Sequence, residues 1–80
     1  MKQILYLLKQ ADPDSIEMIQ AQASMARIEV VLIQDAVSMK LQDIPASVLA
    51  DDAQGEIHHA TISYKALLEK IFKADTVITW

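Results

Sequence analysis

The chain has 80 residues, and a composition 52% hydrophobic with one glycine and two prolines excludes a disordered tail. A net charge of −4 with no cluster of Lys or Arg leaves no basic face for a phosphate backbone, so any RNA would be held by a partner. The absence of cysteine excludes disulfides, Cys-ligated zinc and a thiolate or persulfide carrier in this chain.

Gln3 to Leu8 is a short, continuous apolar run, predicting a strand covered on both faces. Asp12-Pro13-Asp14-Ser15 signals a helix start, capped by Asp12 with Pro13 in the first turn, or by Asp14 with Glu17 three residues on. Ile16, Ile19, Ala23 and Ala26 fall on one face of that helix, with Met18 and Met25 on a neighbouring one. Glu29 to Ile33 is β-branched and predicts a second buried strand. Val37, Lys40, Leu41 and Ile44 suggest a short helix ended by Pro45. Ala46 to Ala50 predicts a third strand, Ala53 to Glu56 a turn or frayed helix, and Ile57 to Ile62 a short fourth strand.

The last helix has the clearest pattern. Tyr64, Leu67, Leu68, Ile71 and Phe72 form one apolar face, Lys65, Glu69, Lys70 and Lys73 the other, and Ser63 is the expected N-cap. Thr76 to Trp80 closes the series as a strand. Strands and helices alternate through short connections across residues 1–80. A single three-layer α/β/α domain with a small, mainly parallel sheet of four to five strands follows, its strand order left open.

Ligands of open α/β sheets sit beyond the carboxyl ends of the strands. The polar residues expected there are Lys9, Gln10, Gln34, Asp35, Asp51 and Asp52. Three carboxylates suggest a magnesium pocket, but the lysine that a phospho-acceptor site needs at the last strand's end is absent. Capping and loop solvation is the better reading. In particular, Gln34 and Asp35 are expected to satisfy the free backbone groups of their own strand end. His58 and His59, adjacent in an extended segment, point to opposite faces and do not grip one ion. No serine sits in a Gly-x-Ser-x-Gly turn and no glycine-rich phosphate loop exists. The sequence thus gives no catalytic residue, metal site or cofactor. Met18 and Met25 read first as core and second as interface. Trp80 reads as an interface anchor, with Ile78 beside it.

Two segments carry a resemblance. Leu32-Ile33-Gln34-Asp35-Ala36-Val37 is similar to the "LIQDGV" strand end of the DsrH/TusB family, with Ala36 where glycine is usual. Ser63-Tyr64 followed by the strand ending at Trp80 is similar to that family's "I-D-Y … W" tail, with Ser63 replacing aspartate. The order and spacing hold over nearly the whole chain, although the stretch between Asp52 and Ile57 is shorter than usual.

The resemblance implies a DsrEFH-like fold and a subunit partnered by TusC/DsrF-like and TusD/DsrE-like proteins. In bacteria that thiolate tRNA, such subunits form a heterohexamer relaying persulfide sulfur towards 2-thiouridine at the wobble position. In sulfur oxidisers they handle oxidative sulfur traffic. The acceptor cysteine belongs to the TusD/DsrE-like subunit, and some DsrH-type members carry one of their own. This chain carries none, implying a structural, non-enzymatic role.

A homo-oligomeric, stand-alone binding domain is the alternative. An enzyme using Asp35, Asp51 and Asp52 is a third and weaker one. A domain this small buries only about 60–65% of its unfolded surface, so its apolar excess favours a homo- or hetero-oligomer. Ile4 to Leu8 is too short for a signal-peptide core, and no run approaches the roughly 18–20 apolar residues that span a bilayer. A cytoplasmic location is expected.

Overall fold

Residues 2–80 are described by a computed structural model. Five strands form one sheet: β1 (Gln3–Leu8), β2 (Arg27–Leu32), β3 (Ala46–Leu49), β4 (Thr61–Ile62) and β5 (Thr76–Thr79). Every pairing is parallel and the order is β4-β3-β2-β1-β5. The chain steps from β1 outward to β4, then crosses back through its second helix to lay β5 on the far side of β1. A small parallel α/β sheet is therefore the fold class, as the alternation of elements predicts.

Period-two alternation divides the core into two layers. Tyr6 and Leu8 of β1, Val30 and Leu32 of β2 and Val48 of β3 point to one face, where Ile19 of helix α1 (Pro13–Gln22) covers them. Leu5, Val31 and Leu49 point to the other, under Leu67 of helix α2 (Tyr64–Lys73). Asp12 caps α1, its side chain accepting from the Asp14 N–H at 3.0 Å. Ser63 caps α2, accepting from the Ala66 N–H at 3.1 Å. Ser63 is the cap the sequence predicts, and Asp12 is one of the two it offers for α1, the other being Asp14. A half-buried ion pair between Lys70 and Glu29 ties α2 to β2.

Three expectations are corrected. Val37 to Ile44 forms no helix: a 3₁₀ turn at Gln34–Ala36 gives way to irregular chain. The Leu41 N–H, which a helix would direct at the Val37 carbonyl, donates instead to His59 Nε2 at 3.0 Å. Asp43 has φ of 62°, a left-handed conformation that interrupts a right-handed helix. The segment's apolar residues are buried nonetheless, with Val37, Met39, Leu41 and Ile44 joining the α1 layer. The fourth strand shrinks to Thr61–Ile62, and Ile57 packs on the α1 layer from a loop.

The methionine stripe is not core. Met18 is 46% and Met25 81% exposed, because α1 turns Ser15 and Ile19 inward and ends at Gln22, before Met25. The apolar face of α2 is likewise only part covered. Leu67 is buried and Ile71 half-buried, whereas Tyr64, Leu68 and Phe72 are exposed. These three sit one helical flank away from the residues that meet the sheet.

Candidate functional site at the carboxyl ends of the strands

All five strands run the same way, so the residues following them gather on one rim. Lys9 and Gln10 follow β1, Gln34 and Asp35 follow β2, and Asp51 and Asp52 follow β3. Hydrogen bonds stitch this rim together. The Lys9 N–H donates to the Trp80 carbonyl at 3.0 Å, and the Lys9 carbonyl accepts from the Asp35 N–H at 3.1 Å. The Gln34 N–H donates to Asp52 Oδ2 at 3.1 Å. Asp52 thus spans from the 3₁₀ turn after β3 (Ala50–Asp52) to the end of β2.

The corner is built differently from the local pairing that the sequence suggests. Asp35 contributes its backbone, and its side chain is exposed with no hydrogen bond among the described residues. Asp52, eighteen residues on, supplies the carboxylate. Gln34 adopts φ of 51°, a left-handed turn that an amide side chain does not forbid. Ala36 is fully buried with Val37 beside it, so only a small side chain is placed at this point of the turn. No positive φ occurs at Ala36, so its position makes no backbone demand for glycine.

Among the described residues, no group of three His, Asp or Glu could hold a metal ion. His59 is engaged with the Leu41 amide, and His58 lies 3.9 Å from Glu56 as a surface neighbour. Of the three carboxylates at this rim, Asp52 is the one in a structural bond, to the Gln34 N–H. Ser63 is spent as the α2 cap and Tyr64 is exposed at the first turn of that helix.

At the far end of the rim, Trp80 is half-buried. Its ring lies 6.5 Å from that of Tyr6 at 45°, and the backbone N–H of Trp80 donates to the Leu7 carbonyl at 2.8 Å. Tyr6 is fully buried and its hydroxyl donates to Gln22 Oε1 at the end of α1. Burial pushes the Tyr6 phenol above its ordinary value of 10.0. This Tyr6–Gln22–Trp80 group was not legible in the sequence; the one usable signal was a lone tyrosine hydroxyl inside an apolar strand, which demands a partner.

Two clefts lie away from the rim. One of about 270 Å³ opens at the amino ends of β1 and β2, between Gln3, Arg27, Glu29 and Pro45. Another, of about 460 Å³, flanks β5 and is lined by residues that include Lys2, Ile4, Gln22, Met25 and Ile78. Among the described residues no helix is long and apolar enough to cross a membrane. Set against family models, curated proteins and solved structures, the chain matches none.

Proposed function

We propose that this chain is a non-catalytic, cytoplasmic subunit of a TusBCD/DsrEFH-like sulfur-relay complex, supporting persulfide transfer for 2-thiolation of the tRNA wobble uridine. The observation that carries the reading is the ordered resemblance of Leu32 to Val37 and of Ser63-Tyr64 through Trp80 to the DsrH/TusB pattern. The missing cysteine agrees with it. A persulfide needs a thiol, so the sulfur passes through TusD/DsrE-like and TusC/DsrF-like partners while this subunit completes the assembly. The acidic charge agrees as well, since RNA is then held by another chain.

A second reading, a stand-alone homo-oligomeric binding domain, is favoured by one specific observation. Phe72 at 84% and Met25 at 81% exposure are apolar surface that a second copy could cover. The oxidative Dsr-type role is the other branch of the same resemblance.

The chemical test is direct. The purified chain, offered sulfur-35 from a cysteine desulfurase, should acquire no covalent label, and adding a Cys-bearing DsrE-like subunit should place all label on that subunit. Label bound to this polypeptide would defeat the assignment as a passive subunit.

A further inference from the structure

The connection from β2 to β3 is irregular, yet Val37, Met39, Leu41 and Ile44 along it are all buried against the α1 layer. Backbone bonds anchor its two ends. The Met39 N–H donates to the Ala36 carbonyl at 3.0 Å, and the Pro45 carbonyl accepts from the Val30 N–H at 2.9 Å. Between those anchors, among the described residues, residues 40–44 make one hydrogen bond, from the Leu41 N–H to His59 Nε2 at 3.0 Å. Apolar packing holds the side chains of this segment. A single histidine holds its backbone.

The direction of that bond sets the protonation state of the ring. A backbone N–H only donates, so Nε2 must offer its lone pair, and the imidazole is neutral with its proton on Nδ1. An imidazolium carries N–H on both nitrogens and would set donor against donor. Leu41 is 7% exposed, so while the segment stays closed water is a poor replacement for the lost acceptor, and a backbone donor left unpaired there is costly.

The charged groups around the contact do not offset this conflict. On the histidine's own segment, Glu56 lies 3.9 Å from His58 Nε2. On the facing segment Lys40 and Asp43 flank Leu41, and both are exposed. After β3, Asp51 is exposed and the Asp52 carboxylate accepts from the Gln34 N–H. Among the described residues, no carboxylate stands within ion-pair distance of the His59 ring to favour its charged form.

We propose that His59 is an acid-released latch on the β2–β3 connection. Neutral, it closes residues 40–44 over the α1 layer; protonated, it releases them and uncovers Met39, Leu41 and Ile44. The closed form gives up its bond to take a proton, whereas in the open form the ring is an ordinary exposed imidazole. The latch is therefore complete above the imidazole range and is lost as pH falls through and below it. For an exposed imidazole titrating near ~6.5, the open fraction rises about thirtyfold between pH 7.5 and pH 5. The latch does not rest on the sulfur-relay reading.

Nitrogen-15 NMR and amide exchange of the full chain read both ends of the bond. At neutral pH the His59 ring should show the Nδ1–H tautomer, with Nε2 unprotonated. Protection of the Leu41 amide, corrected for the intrinsic exchange rate at each pH, should fall about thirtyfold from pH 7.5 to pH 5. Amides of the β1–β2 ladder should keep theirs. In His59→Gln, which removes the titrating ring, the change of Leu41 protection with pH should vanish. In His58→Gln it should persist. An Nε2–H tautomer at neutral pH would overturn the proposal. So would Leu41 protection that ignores pH, a pH dependence that survives in His59→Gln, or ladder amides lost together with Leu41, the mark of global acid unfolding.

Discussion

Asp52 shows how far a residue's role can lie from its neighbours in sequence. The amide–carboxylate pair Gln34-Asp35 reads as a self-contained strand end, yet the acceptor for the Gln34 N–H comes from Asp52 after the next strand. Sequence spacing shows only bonds within a few residues, and this one depends on β2 and β3 being neighbours. Asp52→Ala should therefore cost about 1 kcal/mol in urea denaturation, the usual size of a lost hydrogen bond. Asp35→Ala, at an exposed side chain, should stay within about 0.5 kcal/mol. Equal losses at both positions would mean that the corner is held by the local pair after all.

At Tyr6 the same scale gives a pH dependence. Its phenol titrates above 10.0 in the folded protein because burial disfavours the phenolate. A value raised above that of the unfolded chain means the unfolded state releases its proton first as pH climbs. The stabilisation is complete below pH 10.0 and is lost as pH rises through the folded value. Tyr6→Phe should remove this alkaline component and cost about 1 kcal/mol at neutral pH through the lost Gln22 bond. Stability curves of the two proteins between neutrality and strong alkali that run parallel would contradict it.

Among the elements, those with a local signal were legible and those without one were not. α2 begins at the predicted cap, Ser63, and α1 at Asp12, one of the two candidates, because a cap is a bond between residues two or three apart. β1, β2 and β5 were legible from uninterrupted apolar or β-branched runs. The Val37–Ile44 stretch misled because apolar spacing reports burial, and burial is what it has; a helix also needs its backbone donors, and the Leu41 N–H goes to His59. In α2 the pattern marked five residues as one face, but a ten-residue helix laid on a sheet covers only its central stripe. Leu67→Ala should then cost about 2–5 kcal/mol in unfolding free energy. Phe72→Ala should leave that quantity within about 0.5 kcal/mol. A large loss at Phe72 in the isolated monomer would show that its ring is covered by its own chain.

For the whole molecule, the alternation of elements indicates the class and the topology supplies the strand order. A small parallel α/β sheet follows from strands and helices alternating through short connections, but nothing local records that β5 returns beside β1 and so becomes an open edge. The placement of Trp80 has the same origin. An aromatic at the end of the last strand looked destined for another chain, and the return of β5 to β1 brings it against Tyr6. Trp80→Ala will consequently disturb the chain's own α1 layer as well as any interface, which is why the exposed Phe72 is a better probe of assembly.

The chain is proposed to complete a sulfur-relay assembly without carrying sulfur. Affinity purification of the tagged chain from its native cells, with identification of every bound protein, tests it most directly. Stoichiometric recovery of a Cys-bearing DsrE-like subunit and a DsrF-like subunit is the expected result. Recovery of the chain with itself alone, or with proteins lacking a persulfide-bearing cysteine, would contradict it.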